Sequence, residues 1–218
     1  ARMQLAQFTQ VGIHCELYYY PLYDDGDASR VSRAIRLAEE FGIPRIWDDV
    51  EWNTTLHGPE PGPDIVIPAL NARLWQVHAV GSLVGIYTGR GFWERMTGNA
   101  PLFAAYPLWY AHYYLDDRIP DFEMFTPFGE WERPLVWQYQ GTTTVAGFSV
   151  DLNAAESVFW GGPEPGLPER PTDLQIAESA AWLVARWTSG QGHLVEQYHR
   201  DRLAWTLANL PPFEEIPQ

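Results

Sequence analysis

The chain contains no lysine: all 14 of its basic residues are arginine, set against 28 aspartates and glutamates for a formal net charge of −14. A surface this acidic is repelled by nucleic acid and by anionic membrane surfaces, so neither is expected as a partner. A single cysteine, Cys15, excludes an intrachain disulfide. In its apolar stretch it reads as a buried thiol rather than a nucleophile. No apolar run is long enough to span a bilayer, which excludes insertion as a transmembrane helix. The six histidines lack the spacing of a ligand set, and no metal is expected. What is abundant is aromatic: 11 Trp and 11 Tyr among 218 residues. Rings on this scale fill a core, or line a cleft where sugar C–H faces stack on them, and composition leaves both uses open.

Hydrophobic spacing organises the chain. Ala1 to Gln10 reads as a helix end, and His14 to Tyr20 as a strand stopped by Pro21. Asp27 is placed to cap the helix that follows, in which Val31, Ala34, Ile35, Leu37, Ala38 and Phe41 recur at helical spacing before Gly42. Ile43 to Val50 predicts a second strand, Asn53 to Pro63 a Gly/Pro-rich loop, Ile65 to Val80 a helix and Leu83 to Tyr87 a third strand. Further strands are predicted at Leu108–Tyr114, Pro134–Tyr139 and Val145–Leu152, with little helix between them. Strands alternating with helices indicate a mainly parallel sheet. From Gly161 the composition changes to Pro and Gly, and beyond Pro171 two amphipathic segments read as helices.

The segment Ile46-Trp47-Asp48-Asp49-Val50-Glu51-Trp52-Asn53 carries the most chemistry. Residues two apart on a strand share a face, so Asp49 and Glu51 project together while Asp48 and Val50 face the other way. In a parallel barrel the C-terminal strand ends carry the active site. Two carboxylates held close push their pKa values apart, and one then keeps its proton as an acid. Glycoside hydrolysis needs that division of labour. Taken alone, Asp-x-Glu also occurs on any solvated acidic surface. Asp151 and Asn153, ending the last strand on a shared face, read by themselves as a turn-forming pair.

The order of the pieces adds to this. After Asp49-Val50-Glu51 come Gly85-Ile86-Tyr87-Thr88-Gly89 with Phe92-Trp93, then Pro107-Leu108-Trp109-Tyr110-Ala111-His112-Tyr113, Val136-Trp137-Gln138-Tyr139 and Val150-Asp151-Leu152-Asn153. This succession, from about Val11 to Asn153, resembles the glycoside hydrolase family 25 lysozymes (muramidases), whose fold is an irregular (β/α)8 TIM-like barrel. The resemblance implies hydrolysis of the β-1,4 bond between N-acetylmuramic acid and N-acetylglucosamine, with the bacterial peptidoglycan glycan strand as partner and no cofactor. It implies Glu51 as the general acid. Asp49 would orient or stabilise the 2-acetamido group or the charge developing at the anomeric carbon, and Asp151 would complete the acidic pocket. Tyr18 and Tyr20, which share a strand face, are candidates for the substrate cleft together with Tyr87, Trp109, Trp137 and Asn153. Each of these rings is equally suited to core packing. The implied setting is a secreted enzyme, or a phage-encoded one, acting on the cell wall.

Only six strands are identifiable, and nothing matches the family's first strand with its acidic residue, or the helix and strand after it. Six strands do not close an eight-stranded barrel without a change of tilt and stagger. The expectation is therefore an α/β chain: an N-terminally incomplete, irregular (β/α)8 TIM-like barrel at 1–160, a Pro/Gly linker at 161–171 and a helical C-terminal extension at 172–218. The missing strands are expected upstream in a longer polypeptide, the other possibility being a relative that closes its sheet differently. Two rival functions remain open: a non-catalytic glycan-binding or phage virion structural module derived from the barrel, and a barrel glycosidase acting on another polysaccharide.

Overall fold

The computed structural model describes residues 2–10, 13–114, 118–145, 148–156 and 159. The expected linker at 161–171 and helical extension at 172–218 lie outside the described residues. After helix α1 (Arg2–Gln10), strand β1 (Leu17–Tyr19) is followed by α2 (Asp27–Phe41) and β2 (Arg45–Asp49). α2 buries Val31, Ala34, Ile35 and Ala38, and ends at Gly42, whose φ of 63° few other residues tolerate. Its cap position is Gly26 rather than Asp27. The Asp27 carboxylate instead turns back to accept the N–H groups of Leu22 and Tyr23, both at 2.9 Å.

A short helix, α3 (Thr54–His57), lies within the predicted loop after β2. Asn53 holds it by accepting the N–H groups of Thr55 and Leu56, each at 3.1 Å. α4 (Pro63–His78), β3 (Leu83–Thr88), α5 (Arg90–Thr97) and β4 (Leu108–Ala111) follow. α5 is a helix the sequence reading lacks. It spans eight residues and buries Trp93, Met96 and Thr97, too short a span for periodicity to declare itself. β5 (Val136–Val145) and β6 (Phe148–Ala155) close the order. Val145, predicted to open the last strand, ends β5 instead.

The sheet runs β1-β2-β3-β4-β5-β6 in chain order, parallel through β5, with β6 returning antiparallel against β5. Right-handed crossovers stepping always in one direction put the helices on one face, the winding of a barrel. The expected incomplete (β/α)8-like barrel is found as a curled six-stranded half-barrel, with β1 and β6 as its edges among the described residues.

The helix-facing layer is the main core, built from Val31, Ile46, Leu70, Leu74, Ile86 and Leu108 among others. A smaller cluster of Trp47, Leu135 and Val136 occupies the inner face. Gly85 makes this possible, because a Cβ there would stand 2.3 Å from the Trp47 ring. One charged pair is buried on the helix side: Arg73 of α4 donates to Asp48 of β2 through Nε (2.7 Å) and Nη2 (3.0 Å), and the Tyr19 hydroxyl donates to the same carboxylate.

Arg73→Met leaves the Asp48 charge buried with the Tyr19 hydroxyl and no cation. Losing one partner of such a pair costs about 3–5 kcal/mol. The expected result is a matching fall in unfolding free energy by urea titration. An unchanged midpoint would remove the pair from the framework of the fold.

Candidate functional site

The inner face of β2 sets the site. Trp47, Asp49 and Glu51 point inward, while Asp48 and Val50 pack toward the helices. The extended path continues past the strand end because Val50 N–H donates to Tyr87 O at 2.8 Å and Thr88 Oγ1 donates to Val50 O at 2.7 Å. Glu51 therefore stays on the Asp49 side as the chain leaves the sheet.

Asp49 is buried, and its Oδ1 has no hydrogen-bond partner among the described residues. Burial, with smaller contributions from the Glu51 and Asp48 charges, pushes its pKa up to about 9, so it is neutral at pH 7. Glu51 is half-buried, and burial together with the charge of Asp151 raises its pKa from the ordinary glutamate value. Asp151 lies on β6 and accepts from Gln138 Nε2 (3.2 Å) and from the Thr142 N–H (2.7 Å). The three carboxyl groups that the sequence singles out thus meet at one rim of the sheet.

A groove of about 500 Å³ opens at Glu51, lined also by Tyr20, Trp52, Asn53, His57 and Phe92. The His57 ring lies 5.6 Å from Tyr20 and 5.3 Å from Trp52, and Trp52 Nε1 is tied to Gly58 O at 3.0 Å. Tyr20 also accepts the Asn53 N–H through its hydroxyl at 3.1 Å. Such ring faces can stack on sugar C–H surfaces. Among the described residues no group of three or more His, Cys, Asp or Glu is placed to hold a metal.

The other candidates separate. Trp109 sits on the inner face with its ring 4.9 Å from Tyr87 and 6.5 Å from Tyr18, and Asn153 accepts its indole N–H at 2.8 Å. Asn153 therefore holds Trp109 in place. The expectation that Trp137 lines the cleft is corrected: it is 1% exposed in the helix-side core against Tyr110, Tyr114 and Phe122, and donates to His112 O. Its neighbour Gln138 takes the inner place, accepting from the hydroxyls of Tyr87 (2.8 Å) and Tyr113 (2.6 Å). Period-two alternation applied to β5 as it was to β2 finds Gln138, and applied beyond β4 finds Tyr113 in line with Trp109. Trp52, His57 and Phe92 had no such signal, since His57 and Phe92 lie on short helices and Trp52 is tied to Gly58 beyond one of them.

A model of the family described as lysozyme-like protein 1 matches residues 4–139. Counting factor 50 of Dictyostelium discoideum is 40% identical over 111 residues, which are 50% of this chain and 34% of that protein. Probable GH family 25 lysozyme 3 of the same organism is 35% identical over 114 residues, 50% of this chain and 22% of that protein. The matched stretch thus spans about a third or less of the length of these relatives. Among solved structures, a family GH25 lysozyme from Aspergillus fumigatus aligns with a TM-score of 0.55 at 21% identity, covering 72% of this chain and 77% of that one. That likeness is one of fold.

The raised pKa of Asp49 has a consequence for stability. The folded chain holds a proton there up to about pH 9, whereas an unfolded Asp loses it near its ordinary 3.8. The stabilisation from that proton is full below the unfolded value and is lost as pH rises toward the folded one, at most about 1.4 kcal/mol per pH unit. Asp49→Asn is expected to flatten the fall in urea-unfolding free energy between mildly acid and mildly alkaline pH. Equal slopes for both proteins would mean that Asp49 is ionised in the fold.

Proposed function

The chain belongs to the lysozyme-like protein 1 family and is a family-25-like lysozyme by that membership, from which we propose that it is a peptidoglycan hydrolase with Glu51 as its proton donor. The observation that carries this reading is the position of Glu51: on the wall of an aromatic groove, beside Asp49 and within reach of the Asp151 charge. A carboxyl group whose proton is held by burial and by a neighbouring anion suits protonation of a glycosidic oxygen. The bond assigned is the β-1,4 link between N-acetylmuramic acid and N-acetylglucosamine. Neutral Asp49 offers an O–H donor in place of a second charge, and we assign it to orienting or stabilising the 2-acetamido group. Asp151, held by two donors, faces the positive charge that develops at the anomeric carbon. Tyr20, Trp52 and His57 supply ring faces for the glycan. The setting is the cell wall, reached by secretion or from a phage; among the described residues no helix is long and apolar enough to cross a membrane.

A second reading, a glycan-binding module without turnover, is favoured by one observation: the 40%-identical relative is named a counting factor and not a hydrolase. Clearing of bacterial cell walls separates the two. Glu51→Gln is expected to lower the clearing rate about a hundred- to ten-thousand-fold, and the wild-type products are expected to carry muramic acid at their reducing ends. Clearing that survives the substitution takes the acid role from Glu51, another reducing-end sugar overturns the bond assignment, and wall binding without new reducing ends establishes the second reading.

A further inference from the structure

We propose that Gln138 is a positioning residue: Tyr87 and Tyr113 lock its amide so that its N–H fixes the Asp151 carboxylate against Glu51. The inference rests on the reading of Glu51 as the proton donor. Gln138 is 4% exposed on the inner face of β5, where a polar group is costly unless its hydrogen bonds are made. An amide offers one accepting oxygen and one donating NH2. Both tyrosine hydroxyls donate to Oε1, at 2.8 and 2.6 Å, which occupies its two lone pairs. Nε2 is then left to face Asp151 Oδ2 at 3.2 Å. The reversed amide would set its oxygen against a carboxylate and remove the acceptor that the two phenols share. Tyr87 comes from β3 and Tyr113 from just beyond β4, so three neighbouring strands determine which way the amide points.

The backbone serves the same end from the other side. Asp151 Oδ1 accepts the Thr142 N–H at 2.7 Å, and Thr142 has a φ of 57°, a conformation that β-branched residues rarely adopt. It occurs where the β5–β6 register slips, between Gln138/Gln140 and Gln140/Thr143. Gly141 leaves room for the Tyr113 ring, since a Cβ there would stand 3.3 Å from its Cζ and hydroxyl. A regular hairpin would join the two strands without this strain. Strain of this kind persists where the surroundings over-determine it, and it gathers at functional sites. Here it delivers a second donor to one carboxylate.

The titratable groups around the pair are Asp49 on β2, Tyr20 after β1, Tyr87 on β3, Tyr113 after β4 and His57 across the groove. After burial, the charge on Asp151 is what strengthens the hold of Glu51 on its proton. An Asp151 carboxylate fixed beside Glu51 raises the working range of the acid, and one released from that position lowers it.

The test is a carbon-13 titration of the side-chain carboxyl groups in the whole chain. Gln138→Leu is expected to move the Glu51 midpoint to lower pH. Asp151→Asn moves it the same way, and Gln138→Leu then adds nothing in the Asp151→Asn background. Leucine at a buried polar position can unfold the protein, so Tyr113→Phe is the second variant. It removes one locking hydroxyl at an exposed ring and is expected to give a smaller shift of the same sign, also absent without Asp151. A Glu51 midpoint unmoved in the folded variants, or a shift that persists when Asp151 is gone, overturns the proposal. In wall-clearing kinetics the same displacement appears on the alkaline limb of kcat, with KM unchanged. Because the titration reads Glu51 directly, a wild-type protein that clears no walls would sink the hydrolase reading and leave the positioning answer standing.

Discussion

The register of β2 depends on one buried ion pair. All five residues of this strand are buried, as in any parallel strand covered on both faces, so apolar alternation does not tell its two sides apart. Asp48 and Arg73 make the distinction. A slip of one residue would carry Asp48 to the inner face and turn Asp49 toward the helices, leaving Arg73 without its two-pronged carboxylate. An uncompensated charge in that layer costs several kcal/mol. The same node joins β1 through Tyr19 and α2 through Asp27, whose carboxylate lies 3.4 Å from Arg73. The elements behind the site are therefore pinned to the strand that presents it.

Two consecutive aspartates show how burial is turned to opposite uses. Asp48 has a cation and is a fixed anion of the framework. Asp49 is buried one residue further along with no cation and, on one oxygen, no donor among the described residues, and it holds its proton up to about pH 9. The rim consequently gathers three carboxyl groups without gathering three charges. Glu51, less enclosed than Asp49, lies between a neutral neighbour and a hydrogen-bonded one, which is the arrangement that keeps a proton available for transfer.

The face of each residue around Glu51 was legible because a strand has a period of two, and the same rule explains what was misread. Trp137 is an aromatic ring in a recognisable motif, yet the inner residue of that motif is Gln138. Ring content argued for a cleft where alternation argued for core. The antiparallel return of β6 was hidden by the run Gly141 to Thr144, whose small and hydroxyl residues read as loop although they belong to a strand. The groove walls at Trp52 and His57 were illegible for a different reason. Their placement follows from the Asn53 cap on a four-residue helix, a local hydrogen-bonding event that leaves no apolar periodicity. Family resemblance came through because it rests on the order of motifs, and order survives errors over single residues.

The hairpin completes the site in a way that a parallel strand would not. β5 pairs with β4 only over Val136 to Gln138 and then runs on to Val145 against β6 alone. The added length projects past the rim where the other strands have already turned into their crossovers. A parallel strand brings residues to that rim only at its C-terminal end. An antiparallel one returns through it and offers a residue from its middle, which is how Asp151 reaches Glu51. That reach has a geometric requirement, since a carboxylate on an otherwise exposed hairpin needs donors to hold its direction. Gln138, rooted in the sheet, and Thr142, bent out of ordinary strand geometry, supply them. The Gln138 amide is thus one of the links that tie the projecting hairpin to the half-barrel, beside the β5–β6 ladder and the Trp109 bond to Asn153.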